Sequence, residues 1–250
     1  MKLTTISGLA AVLITPLLHA ADWPQYLGPD RTSVSGETGL IRSFPKDGPK
    51  VLWEKDLEKG FGGCAVVGDE VFLVDRVEKE KDMLLCLDLA TGKEKWRYES
   101  DSEGEPSFPG SRNVPTVEDD VVYFVSTWGT VFCIDRKTHK PRWQVNLKDR
   151  YPDATTPNWG YAQSALVVDD IVFVTPFGSK TGAAGWDKKT GKELWNSGPI
   201  GDSHASATVL EFGGEKQIVI VSVVNKDDEL GYITSYRPEG GRILWQTEHY

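Results

Sequence analysis

One nine-residue phrase is written four times along this chain of 250 residues. It reads Asp-Leu-Ala-Thr-Gly-Lys-Glu-Lys-Trp at 88–96, recurs at 135–143 and 187–195, and returns degraded at 237–245. In every copy a Trp stands eight residues after the first position, and successive tryptophans (Trp96, Trp143, Trp195, Trp245) lie 47, 52 and 50 residues apart. A period of this size fits one four-stranded unit per repeat. Such units cannot bury their apolar faces singly, so neighbours must stack.

The apolar pattern of the first unit falls into four segments bounded by turn residues: 63–67, 70–75, 83–87 and 95–99. The second repeats the order at 115–117, 121–126, 130–134 and 142–145, the third spans 162–195 and the fourth 205–245. The expected fold is all-β: a propeller of four-stranded antiparallel blades, with about four blades present.

The phrase itself is turn chemistry. Asp88, Asp135 and Asp187 can bond their own backbone two residues on, and Gly92, Gly191 and Gly241 supply the positive φ of a tight reversal. His139 stands where the second copy should have Gly, so a left-handed or altered turn is expected there. The closing Trp of each copy is placed to wedge between blades. Burying such a ring is worth about 4–6 kcal/mol at most.

A formal net charge of −9 leaves no electrostatic footprint for nucleic acid or anionic lipid. The start of the chain, with Lys2, an apolar run over 9–18 and small Ala20 and Ala21, reads as a secretory signal peptide over 1–21. Its apolar run falls short of the ~20 residues of a membrane span. The expected location is a periplasm or the cell exterior, with no transmembrane segment after cleavage. Cys86 and Cys133 occupy one repeat position, held later by Gly185 and Ser235, and Cys64 falls in another strand. Equivalent positions in neighbouring blades lie too far apart for a bridge, so three buried free thiols are expected.

The small-x-Asp-x-x-Thr-Gly-x-x-x-Trp phrase resembles the tryptophan-docking motif of the pyrroloquinoline-quinone-like (PQQ-like) repeat family of quinoprotein-type propellers. The segment at 22–31 resembles the opening of exported bacterial members, and its Pro and Gly content suggests that 22–48 is a strap against a propeller at 49–250. The resemblance implies seven or eight blades. Residues 51–55 read as a lone outer strand before the first inner one, so the expectation is the front half of a longer ring, with open edges available for self-association.

Ligands of a propeller gather on the loops that enter the innermost strands, here 60–63, 112–115, 158–164 and 202–206. These loops carry the candidate ligand-binding residues Arg112, Asn113, Trp159, Tyr161, Gln163, His204 and Ser206. Arg112 suits an anionic group, Trp159 a flat ring and His204 proton transfer. Ordinary loop packing is the competing reading. The resemblance also implies an enzymatic alternative, a PQQ-dependent alcohol or sugar dehydrogenase fragment with a calcium ion. Against it, the adjacent cysteines of that pattern are missing, and Asp119-Asp120 and Asp169-Asp170 sit at the hairpin position filled by Gly68-Asp69 in the first unit. The scattered histidines lack metal-ligand spacing, and there is no phosphate loop or nucleophile elbow.

The sequence therefore points to an exported, non-catalytic scaffold of the cell envelope that binds a protein, glycan or small ligand and needs no cofactor. Similar folds include the scaffold subunit of outer-membrane protein assembly.

Overall fold

A computed structural model describes residues 20–225 and 230–249. Residues 1–19 of the expected signal peptide, His19 among them, lie outside the described residues. Four four-stranded antiparallel sheets follow one another along the chain. The first joins β1 (Ala65–Val67), β2 (Glu70–Val77), β3 (Lys79–Asp88) and β4 (Glu94–Gly104). The second joins β5 (Thr116–Glu118), β6 (Val121–Val125), β7 (Thr130–Asp135) and β8 (Pro141–Asn146). The third holds β9 (Leu166–Val168), β10 (Ile171–Val174), β11 (Ala183–Asp187) and β12 (Glu193–Ser197). The fourth holds β13 (Thr208–Phe212), β14 (Glu215–Asn225), β15 (Leu230–Tyr236) and β16 (Ile243–His249). A single helical turn, α1 (Leu147–Arg150), follows the second blade, its first amides capped by the Asn146 side chain.

The repeated phrase forms the turn between third and fourth strands as expected. Asp88 Oδ1 accepts from the Thr91 amide at 2.8 Å and its hydroxyl at 2.6 Å, and Asp187 repeats both bonds with Thr190. Every blade then bulges at one register, between Cys86/Leu87, Cys133/Ile134, Gly185/Trp186 and Ser235/Tyr236. The small residue before each bulge pairs directly with the Trp, as in Cys86↔Trp96 and Gly185↔Trp195. That is why the position stays small: a Cβ on Gly185 would come within 2.3 Å of the Trp195 ring.

The tryptophans join the blades by one rule. Trp143 Nε1 donates to the Lys188 carbonyl of the next blade's turn at 2.9 Å, and its ring covers Gly191, which has φ +68° and no room for a Cβ. Trp195 repeats this on Pro238 and Gly241. Rings buried at these seams unite the second to fourth blades into one apolar core, while the first and second share another through Trp96. Trp245 is the exception: 39 % exposed against 8–9 % for Trp96, Trp143 and Trp195, it turns its N–H back to Gln217 of its own blade.

Two expectations are corrected. Residues 51–55 do not form a strand, because no neighbouring strand among the described residues offers them a ladder. Trp53 nevertheless obeys the docking rule, donating to the Leu89 carbonyl at 2.8 Å with its ring over Gly92. Cys64 is exposed rather than buried, since it precedes β1; Cys86 and Cys133 are buried, and all three thiols are free. The hairpin carboxylates are turn residues as read, with Asp119 and Asp169 at φ 49° and 51° beside Gly68 at 60°.

Candidate functional site

The N-terminal segment at 22–33, the strap, is bonded to the inner edges of the blades. Trp23 pairs with Val66 of β1 through two bonds of 2.8 and 2.9 Å, and the Pro24 carbonyl accepts from Val117 of β5. Arg31 then reaches the other two blades, donating to the carbonyls of Ala165 and Ala207, the residues that precede β9 and β13. The segment from Trp23 to Arg31, turning through 25–33, thus bonds to the innermost strands of the first two blades and, through the Arg31 side chain, to the residues just before those of the other two. Gln25 holds the Arg31 Nε at 2.8 Å, and burial lowers the guanidinium pKa to about 10, which leaves it charged at neutral pH.

Above the strap the four inner-strand loops are laced to one another. The Val114 amide donates to Ser164 Oγ and the Ser164 amide to Ser206 Oγ, both at 2.9 Å, so one hydroxyl ladder links the second, third and fourth blades. Gln163 Nε2 adds a bond to the Ala205 carbonyl. Phe61 N donates to the Ser111 carbonyl at 2.7 Å, which ties the first blade to the second.

Between these loops opens a cleft of about 420 Å³, lined by Tyr26, Phe61, Phe108, Arg112, Trp159 and His204 together with Ala162, Ser164 and Ser206. Its wall is a continuous run of rings. Phe61 lies 5.3 Å from Phe108, Phe108 lies 6.3 Å from Trp159, and Trp159 stacks on His204 at 4.6 Å. These rings remain open, with Phe61 62 %, Phe108 51 % and Trp159 45 % exposed. Tyr26, from the strap, contributes to the lining.

Arg112 is the one arginine or lysine among the lining residues. Its Nη1 donates to the Gly110 carbonyl at 2.6 Å and its Nη2 to the Phe108 carbonyl, while the guanidinium carbon sits 5.5 Å from the Phe61 ring and 5.6 Å from that of Phe108. Desolvation lowers its pKa, well short of neutralising an arginine. The loop that carries Phe108 is anchored from below: Glu78 accepts from the Gly110 amide at 2.6 Å, and buried Arg76 donates to the Gly104 carbonyl at 2.6 Å. Arg76 in turn pairs with buried Asp82 at 2.9 Å.

Of the residues singled out in the sequence, Arg112, Trp159, His204 and Ser206 meet at this cleft. Asn113, Tyr161 and Gln163 do not line it. Asn113 is buried with its amide donated to the Val125 carbonyl, Tyr161 is buried with its hydroxyl directed at the Thr155 and Pro176 carbonyls, and Gln163 bonds across to the fourth blade. Burial pushes the Tyr161 phenol far up, so it stays neutral. Phe61 and Phe108 were not singled out, although an aromatic residue beside Gly or Pro in an inner loop is the signal that would have found them.

Comparisons with known proteins agree with this architecture. The family model described as outer membrane protein assembly factor BamB matches residues 37–198 and, overlapping them, 105–249. The chain is similar to quinoprotein alcohol dehydrogenase PedH of Pseudomonas putida, 26% identical over 141 residues that make up 54% of this chain and 22% of that protein. It is similar to a quinoprotein ethanol dehydrogenase of Pseudomonas putida, 24% identical over 159 residues, 60% of this chain and 24% of that one. Among solved structures, quinohemoprotein alcohol dehydrogenase from Comamonas testosteroni matches 90% of this chain and 41% of its own, with a TM-score of 0.63 at 15% identity, a likeness of fold. The matched regions span about a quarter of the curated relatives' length.

Proposed function

The chain belongs to the PQQ-like repeat family whose model is described as outer membrane protein assembly factor BamB, and from that premise we propose that it works as an exported, non-catalytic binding scaffold of the cell envelope. The observation that carries this reading is the cleft: an open wall of aromatic rings with a fixed arginine, on inner-strand loops bonded from blade to blade and beside Tyr26 of the strap. Such a surface is built to hold a partner. The signal peptide read from the sequence at 1–21 supports location in a periplasm or outside the cell, and a protein is preferred over a glycan as the partner. No helix among the described residues is long and apolar enough to cross a membrane. The exposed face around Trp245 supports a further blade, or self-association, against the fourth blade.

The names of the curated relatives favour a second reading, a quinone-dependent dehydrogenase. The donor set speaks against it. A calcium-held quinone asks for carboxylate and amide ligands beside its ring system, whereas no carboxylate lines the cleft, and no three His, Cys, Asp or Glu side chains among the described residues cluster as metal ligands. Incubating the protein with pyrroloquinoline quinone and calcium, then measuring dye reduction with primary alcohols and sugars, separates the two. The scaffold reading expects no turnover above the quinone-only blank; turnover that scales with protein concentration overturns it.

A further inference from the structure

The chemistry of the cleft narrows the class of partner, an argument that rests on the scaffold reading. Three features act together. The ring wall from Phe61 to His204 offers open aromatic faces, which suits a flat apolar group; an aromatic side chain carries 150–250 Å² of surface to bury, on the order of what one recess takes. Arg112 is locked in place by two backbone carbonyls and two phenyl rings, with no carboxylate among the cleft's lining residues to neutralise it. Glu78 acts on Arg112 from outside the lining, where it accepts from the Gly110 amide, and within the recess the guanidinium is the charge that an incoming anion meets. Finally, Ser164 and Ser206 each spend one lone pair on an amide of the loop ladder, so their hydroxyls keep the O–H donor but only part of their acceptor capacity for a partner rich in hydroxyls. Each sugar hydroxyl buried without a partner would cost affinity.

We propose that the cleft receives an aromatic side chain of a polypeptide, ring against Trp159 and Phe108, with an adjacent carboxylate of the same segment paired to Arg112. The exposed rings of Phe61, Phe108 and Trp159 favour a side chain inserted from outside. Charge complementarity at Arg112 then selects acidic-aromatic segments over basic-aromatic ones.

The test is fluorescence anisotropy with a fluorescein-labelled peptide, Gly-Ser-Asp-Trp-Ser-Gly, against the whole protein. Versions with Lys for Asp, or Ala for Trp, serve as comparisons. The Asp-Trp peptide should bind saturably and the Lys version at least about tenfold more weakly, the size of one charge-assisted pair. Arg112→Gln should erase that preference, and Trp159→Ala should weaken both peptides. Phe108→Ala, on an exposed loop, provides a second variant should Trp159→Ala disturb folding. Equal binding of the Asp and Lys peptides, or a preference retained in Arg112→Gln, overturns the proposal. Displacement of bound peptide by stoichiometric free indole-3-acetate also overturns it, in favour of a small-molecule site. A parallel titration with pyrroloquinoline quinone and calcium separates the two levels of inference. No peptide binding and no quinone uptake sinks the peptide proposal alone, whereas stoichiometric quinone uptake sinks the scaffold reading with it.

Discussion

The imidazole of His139 lies stacked on the indole of Trp96, ring centroids 4.6 Å apart and planes within 11°. This is the seam between first and second blades, and it departs from the rule the others follow. Where Gly191 and Gly241 let a ring settle onto the turn, His139 holds φ 59° and inserts its own ring. The Trp96 Nε1 is left buried without a hydrogen-bond partner. By analogy with Trp143 and Trp195, its missing acceptor is the Arg136 carbonyl.

His139→Gly should therefore stabilise the protein. Relief of left-handed strain is worth about 1 kcal/mol and the recovered hydrogen bond about 1 kcal/mol, against a lost ring stack of about 0.5–1.5 kcal/mol. The expected net gain is roughly 1 kcal/mol, or about 2–4 °C in melting temperature for a chain of this size. A lower melting temperature by calorimetry would show that the stack matters more than the hydrogen bond.

The reverse substitution tests the same rule. Gly191→Ala places a Cβ 2.8 Å from the Trp143 ring at a backbone of φ +68°. Left-handed strain alone costs about 1–2 kcal/mol, and displacement of the indole adds to it. Urea denaturation should show a loss of about 2–4 kcal/mol. A change within about 0.5 kcal/mol, the range of ordinary surface substitutions, would mean that the ring does not rest on this turn.

Thiol chemistry separates the three cysteines. Burial pushes the Cys86 thiol up to about 12 and that of Cys133 to about 11, so neither offers thiolate near neutral pH, while Cys64 is exposed. Native protein at pH 8 should react with a thiol-specific reagent at one cysteine, located by mass spectrometry to Cys64, and at all three after denaturation. Rapid labelling of Cys86 or Cys133 in the native state would contradict their packing opposite Trp96 and Trp143.

Acid should loosen the turns. The Thr91 hydroxyl holds the Asp88 carboxyl below its ordinary value, the Thr190 hydroxyl does the same for Asp187, and the Thr138 amide followed by Arg142 lowers Asp135. A carboxylate depressed in the folded state contributes stability that is complete above its unfolded pKa of about 3.9 and is lost as pH falls through the folded value. The stability difference between the wild type and Asp187→Ala should hold constant from pH 7 to about 5 and shrink below about pH 4. A difference that grows on acidification would reverse the assigned direction.

Much of this architecture was legible because its determinants are local. Asp88, Gly92 and Trp96 announce a turn and a strand end within nine residues, and the period announces how often the unit recurs. Where each Trp docks was not legible, since the partner carbonyls of Leu89, Lys188 and Pro238 lie some forty residues further along. Trp53 shows the same limit: it docks on Leu89 by the rule of the repeats, but its backbone stays irregular because strand geometry needs a paired neighbour. At the cleft, Arg112 and Trp159 were readable from residue type and loop position. Asn113, Tyr161 and Gln163 have the same kinds of side chain but serve the backbone carbonyls of Val125, Pro176 and Ala205, demands that exist only once the loops are laced together. Phe108 sits in what reads as an acidic surface excursion. Only the anchoring of that loop by Glu78 and Arg76 brings it to the wall.

Seating of the strap on the inner edges of the blades is the contact that brings Tyr26 to the cleft, and hydrogen–deuterium exchange of the backbone tests it most directly. The Trp23, Val66 and Val117 amides each donate across the strap–blade contact. They should exchange as slowly as the central strands β2 and β6. Exchange of these three amides at the rate of an open loop, with β2 and β6 still protected, would contradict a strap seated along the inner edges.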